Sequence, residues 1–353
     1  MIPKSFYYKI AVLIASLIGI NYLYKYTYYE KDIQTHSEVI NEVRKVVKDS
    51  CEVVYVGESS NTNSAEEDVD KRSISAFISD YYPAIKFGDI TKPAAHAEIF
   101  YLLLKKIPEK STVKTVIVTL NLRSFDANWI YSSLEPQIQK YAVLLRGYPP
   151  LFGRFLLGFK GYDSRSEAEL EKAYKHDWKY IELKVPFPLE HKTVKEWDRA
   201  MFLDGKKFPD GTKDYKLTEL ACHYIKTYAF QIDTTLNPRI KDFDNIVKLA
   251  QERHWNLIFN LMAENTEKGK ELIGDELIYL IKQNRDLLVK RYHRNGVLVV
   301  DNLECVPSDQ FTDKTWTTEH YAEKGRKIVA RNVADTLKRL YPNHYIEVPN
   351  QDK

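Results

Sequence analysis

At 353 residues the chain has room for one large α/β domain with insertions or for two domains, and its 44% hydrophobic and 29% charged content is an ordinary globular balance. Lys and Arg number 52 against 49 Asp and Glu, a net charge of +3, which excludes a polyelectrolyte partner and with it nucleic acid. The three cysteines, Cys51, Cys222 and Cys305, lack metal-type spacing, and Cys51 and Cys305 flank predicted strands as small buried hydrophobes rather than as a disulfide.

The N-terminus reads as an uncleaved signal anchor over residues 1–30. Lys4 and Lys9 precede an apolar run from Ile10 to Ile20, and Asn21, Tyr22, Leu23, Tyr24 and Lys25 follow it. The run itself is short against a hydrocarbon core of about 30 Å. Tyr7, Tyr8, Tyr22 and Tyr24 can occupy the two interfaces, and Lys9 and Lys25 can snorkel outward. A cleaved signal peptide is the competing reading, but bulky residues follow the run where a small-x-small site would be needed. The body of the protein, 31–353, is therefore expected outside the cytoplasm, on the periplasmic or cell-surface side.

Along that body the periodicity alternates between strand and helix. His36–Lys48 has helical spacing, Glu52–Val56 is a β-rich first strand, and Asn61–Asp70 is a polar loop before a helix at Ile74–Ile78. Ala84–Gly88 reads as a short second strand. Ala94–Ile107 is a helix with Pro93 near its start, where a missing N–H does no harm. Thr115–Leu120 is nearly continuously apolar, as a central parallel strand should be. From about 126 to 217 the pattern loosens into an insertion rich in aromatics, proline and charge (Trp129, Tyr148, Pro149, Pro150, Trp178, Trp197) that reads as a cover over the site. Helices return at Leu217–Gln231, Phe243–Arg253 and Gly274–Tyr292, strands at Trp255–Leu261 and Gly296–Asp301, and a closing helix at Ala322–Leu340. Such alternation predicts a three-layer α/β/α sandwich around a mostly parallel sheet.

In such a sheet ligands bind at the carboxyl ends of the strands. Gly57 permits a tight turn after the first strand and places Ser59 at the lip of that edge, with Ser60 a rival for the same role. A solvent-exposed polar turn is the bland alternative. His320 stands at the mouth of the closing helix, where a base for Ser59 would lie, or where a capping histidine would. Asn121 follows the central strand directly, and its amide can donate to an oxyanion. Arg123 nearby can hold an anion or anchor the insertion. Three polar residues thus fall on one edge, which points to acyl transfer or ester hydrolysis.

Three blocks carry a family resemblance: Val53-Val54-Tyr55-Val56-Gly57-Glu58-Ser59-Ser60, Val116-Ile117-Val118-Thr119-Leu120-Asn121, and Glu319-His320-Tyr321-Ala322-Glu323-Lys324-Gly325. By these the chain resembles the SGNH (GDSL-type) hydrolase superfamily, in a membrane-anchored branch similar to acyl-transfer proteins of envelope polysaccharide or teichoic-acid acylation. The resemblance implies a flavodoxin-like sandwich with a five-stranded sheet and a Ser59–His320 pair, with Ser59 N–H, Asn121 and one further backbone N–H as oxyanion donors. It departs from the family in several places. Glu58 replaces the usual Asp, and Asn121 stands alone where the family has Gly-x-Asn-Asp. Gly88 is the candidate second-block glycine, because Pro93 has no N–H to give. Thr317 occupies the place of the Asp three residues before the histidine. Asp313 can fold back as the third triad member, unless a backbone carbonyl orients the ring in a Ser–His dyad; Glu319 is a weaker choice.

The resemblance also implies an esterase or O-acyltransferase that needs neither metal nor organic cofactor. Its substrate is an acylated polysaccharide or other extracytoplasmic ester, it meets the membrane through the N-terminal helix, and its expected partner is a multi-spanning membrane acyltransferase. A catalytically inactive scaffold or binding component of an envelope acylation or export assembly is the alternative.

Overall fold

The computed structural model describes residues 3–132 and 181–348, together with 168–169 and 172. Most of the insertion expected at 126–217, including Tyr148, Pro149, Pro150 and Trp178, lies outside the described residues.

The chain opens with α1 (Lys4–Thr27), a helix of 24 residues that is almost wholly exposed and is apolar and long enough to cross a membrane. At 1.5 Å per residue it spans roughly 36 Å. The helix thus extends well beyond the apolar run, because the flanking tyrosines and lysines continue it. After a break at Tyr28 come α2 (Tyr29–His36) and α3 (Glu38–Lys48), and α3 packs on the sheet through Val39, Val43 and Val46.

Five parallel strands form the sheet: β1 (Val53–Gly57), β2 (Phe87–Thr91), β3 (Thr115–Leu120), β6 (Asn256–Leu261) and β7 (Leu298–Asp301), in the order β2-β1-β3-β6-β7. Successive side chains leave on opposite faces. Val54, Val56, Val116, Val118 and Phe259 join one core, filled by α3, α6 (Ala97–Leu104), α10 (Pro238–Glu252) and α12 (Asp275–Arg294). Tyr55, Ile117, Ile258 and Val300 join the other, beneath α5 (Ile74–Asp80) and α13 (Glu323–Leu337). This is the three-layer α/β/α arrangement that the alternating pattern predicts. Short elements among the described residues include α4 (Ser59–Thr62), 3₁₀ turns at Leu122–Phe125 and Ser308–Gln310, α7 (Ala127–Ile130) and α11 (Thr266–Leu272).

Within the region expected to be an insertion, α8 (Val194–Asp204) starts on a reciprocal cap between Thr193 and Glu196 and packs on α9 (Tyr215–Tyr228). A two-stranded ribbon, β4 (Lys206–Lys207) and β5 (Lys213–Asp214), links them.

The second strand is shifted from its expected place at Ala84–Gly88 to Phe87–Thr91. It is an edge strand, and Gly88, Asp89 and Thr91 depress its apolar signal. Gly88 also does not reach the site. It pairs with Val54, three residues before Gly57, and so lies roughly 10 Å short of the carboxyl edge. Its lack of a side chain serves packing instead: a Cβ there would stand 2.6 Å from Val46 Cγ2 and 3.0 Å from Cys51 Sγ. The cysteines are all free, Cys51 and Cys222 buried and Cys305 half-buried.

Candidate active site

The first strand is buried over its whole length and delivers the chain to Gly57. A Cβ at Gly57 would meet Thr119 Oγ1 at 2.7 Å and Tyr55 Cε1 at 2.9 Å, so only glycine lets β1 and β3 end this close together. Glu58 then caps α4, accepting from Ser60 N–H at 3.1 Å and from the Ser60 hydroxyl. This fixes Ser60 as a buried structural residue and turns Ser59 outward as the first residue of α4. Asn61 locks the turn from behind. Its amide donates to Asp89 Oδ2 (2.9 Å) and Thr91 Oγ1 (2.8 Å), and its Oδ1 accepts from Ser75 N–H (2.9 Å).

Ser59 Oγ lies 3.0 Å from His320 Nε2 and 3.1 Å from Glu58 Oε2. The other ring nitrogen, His320 Nδ1, lies 2.9 Å from Asp313 Oδ2, which also accepts from the Thr318 hydroxyl. Asp313 reaches the ring because the chain after β7 folds back on itself. Thr312 N–H donates to His320 carbonyl at 3.0 Å, Ala322 N–H donates to Gln310 carbonyl at 2.8 Å, and Phe311 pairs antiparallel with Tyr321. The turn is pinned to the core by the Tyr321 hydroxyl, 2.8 Å from Ala263 carbonyl, and by edge contact between the Phe311 and Tyr321 rings. Ser59, His320 and Asp313 therefore form one continuous hydrogen-bonded line, although Asp313 is seven residues from His320 in sequence.

Asn121 ends the third strand and caps the following 3₁₀ turn, its Oδ1 accepting from Arg123 N–H at 2.9 Å. That fixes which way the amide points. With Oδ1 so engaged, the amide N–H groups are the donors that Asn121 can present where it lines the cavity.

Glu319 does not orient the histidine. It is fully buried and paired with Arg123, whose Nη2 is 2.6 Å from Glu319 Oε2 while its Nη1 donates to Thr317 carbonyl at 2.9 Å. Arg123 thereby clamps the backbone that carries His320, and its guanidinium packs 5.0 Å from the Trp129 ring centroid. Thr317, in the place where an Asp was sought, contributes its carbonyl to this clamp. Behind the pair, Glu264 accepts from the Tyr228 hydroxyl. Burial, reinforced by the Glu319 charge, raises the Glu264 carboxyl well above the usual carboxylate range.

Ser59, Asn121, Arg123 and His320 open on a cavity of about 140 Å³. Its wall comes from the loop after β2 and from α6 and α10: Ala94, Ala95, His96, Phe100 and Phe243. Sequence reasoning singled out neither Ala94 nor His96. Neither carried a readable signal: the helix expected at Ala94–Ile107 runs instead over Ala97–Leu104, and Ala94 stands before it with its backbone in the left-handed region at φ 58.

No protein-family model and no curated protein matches the chain. Among solved structures, the chain is similar to a lipase/acylhydrolase from Enterococcus faecalis at a TM-score of 0.37 and 8% identity, covering 82% of this chain and 96% of that one. The likeness is distant, and the functional reading rests on the site alone.

Proposed function

We propose that the protein is a serine-dependent esterase or O-acyltransferase that acts at the outer face of a membrane on an acylated envelope polysaccharide or a similar ester. The Asp313–His320–Ser59 line, with both ring nitrogens of His320 engaged at 2.9 and 3.0 Å, carries this reading. Asp313 accepting the Nδ1 proton leaves Nε2 unprotonated and facing Ser59. As the Ser59 hydroxyl attacks an ester carbonyl, its proton passes to Nε2, and Asp313 stabilises the imidazolium. The tetrahedral oxyanion then takes hydrogen bonds from Ser59 N–H, an amide N–H of Asn121, and Ala94 N–H. Ala94 takes the role first sought in Gly88: in this loop Pro93 has no N–H, and Ala95 N–H is already bonded to Lys92 carbonyl at 3.1 Å. Each such donor is worth about 3 kcal/mol in the transition state. His320 returns the proton to the leaving alcohol, and water or a sugar hydroxyl resolves the acyl-enzyme.

The filled third position supports an active site over the inactive-scaffold alternative. Support for the membrane setting comes from α1, whose apolar surface is exposed along its length. Arg123 is assigned to holding the His320 loop, since its charge is already engaged by Glu319. A multi-spanning acyltransferase as donor of the acyl group belongs to the transferase form of the proposal. The decisive experiment is treatment of the full chain with a fluorophosphonate probe. Covalent labelling at Ser59, absent in Ser59→Ala and blocked in His320→Ala, is expected. A folded wild-type protein that stays unlabelled would overturn the reading.

A further inference from the structure

Much of the lining of the cavity beside Ser59 is carbon: Ala94, Ala95, Ala97, Phe100 and Phe243 contribute to it, with His96 among them. A sugar hydroxyl pressed against the Ala and Phe side chains would lose its hydrogen bonds to water without replacement. The acyl chain is the portion of an ester that suits those side chains.

Size and stiffness then set a limit. A sealed apolar cavity of about 150 Å³ holds one benzene ring. The space here is about 140 Å³, and the reacting carbonyl must occupy part of it. Nor can the aromatic part of the lining yield. The Phe243 ring is stacked on Phe125 with centroids 5.5 Å apart and set edge-on against Phe259 at 5.2 Å. Phe100 is 2% exposed within α6, in a layer where α6 packs directly on α10. Close-packed aromatic walls of this kind do not move aside for a longer chain without opening voids elsewhere.

Resting on the serine-nucleophile reading, we infer that the site is selective for short acyl groups of about two to four carbons, with Phe100 and Phe243 as the residues that set the limit. The test is a series of p-nitrophenyl esters, acetyl, butyryl, hexanoyl and octanoyl, offered to the full chain in detergent, alongside short- and long-alkyl fluorophosphonates. A fall in kcat/KM of tenfold or more from butyryl to octanoyl, with slower labelling of Ser59 by the long-alkyl probe, is the expected result. Phe100→Ala should raise the octanoyl-to-acetyl ratio at least tenfold, and Ala97→Val should shift preference towards acetyl. Octanoyl turned over as well as acetyl, with rapid long-alkyl labelling, overturns the size limit and leaves the nucleophile standing. No labelling by either probe removes the nucleophile, and this inference with it. The wild-type series decides the matter even where the Phe100 variant fails to fold.

Discussion

In the proposed mechanism Asp313 is the residue on which the chemistry turns most sharply. It is also more open to solvent than its partner, at 39% of its side chain against 18% for His320. A carboxylate so placed is screened by water, yet it still selects the tautomer of the ring. Asp313→Asn should therefore lower kcat/KM roughly 10³-fold, short of the roughly 10⁴-fold loss in a triad whose Asp is buried. Glu319→Gln, which touches no ring nitrogen, should leave the pH dependence of the remaining activity in place while weakening the loop through its lost pairing with Arg123. Comparing pH–rate profiles of the two variants separates orientation of the ring from support of the loop. Ser59, Asn121 and His320 were legible as candidates because each directly follows a predictable strand or precedes a predictable helix. Asp313 could be preferred to Glu319 because enough chain separates it from His320 to fold back, but the antiparallel pairing of Phe311 with Tyr321 that brings it to the ring was not legible. That pairing depends on a contact with Ala263, from another part of the chain.

Between elements, two polar ties, one buried and one half-buried, hold the edge of the sheet together, and neither could be seen in composition. Arg326 is fully buried in α13 and binds Asp68 Oδ2 at 2.8 Å, Tyr321 carbonyl at 3.0 Å and Asp70 carbonyl at 2.6 Å, joining the loop after Ser59 to the helix after His320. In sequence it looks like any surface arginine, and Asp68 like part of a solvated acidic cluster. Arg326→Met should destabilise by about 3–5 kcal/mol, because Asp68 is left buried without its cation, as a chemical-denaturation midpoint would report. The second tie is Glu42 of α3, which accepts Thr91 N–H of β2 at 2.8 Å. Burial, aided by nearby Asp89, raises its carboxyl from 4.5 to about 7. Folding thus favours the protonated form. The resulting stability is complete below 4.5 and is lost as the pH rises through about 7. Glu42→Gln keeps an acceptor for Thr91 and should flatten this dependence, giving a higher Tm than wild type above that window and little difference below it.

For the molecule as a whole, the sheet was the readable part. Val53–Val56 and Thr115–Leu120 are nearly continuous apolar runs because both of their faces are covered. Phe87–Thr91 was misplaced by three residues because an edge strand need not be apolar, and the glycine within it answers to α3 rather than to a ligand. The anchor proposal belongs to this scale too. Alkaline carbonate washing should leave the protein in the membrane fraction, mass analysis of that fraction should find the Lys4–Thr27 segment, and protease added from outside should reach the catalytic domain. A soluble mature form lacking those residues would refute the anchor.

The junction between α1 and the sheet has a consequence for where such an enzyme can work. One residue, Tyr28, separates α1 from α2, and one, Ser37, separates α2 from α3. The joints are braced: Tyr24 hydroxyl is 2.5 Å from Asp32, Arg44 pairs with Glu30 at 2.5 Å, and the Asn41 amide donates to Gln34 carbonyl at 3.0 Å. Since α3 is itself packed on β2, there is no slack cord on which the domain could roam. Under the proposed function, with α1 in a bilayer, Ser59 would patrol a thin shell at fixed height. Esters at that height would be within reach, and identical ones farther out along the same polymer would become substrates only when the polymer bends inward or is still being extruded past the enzyme.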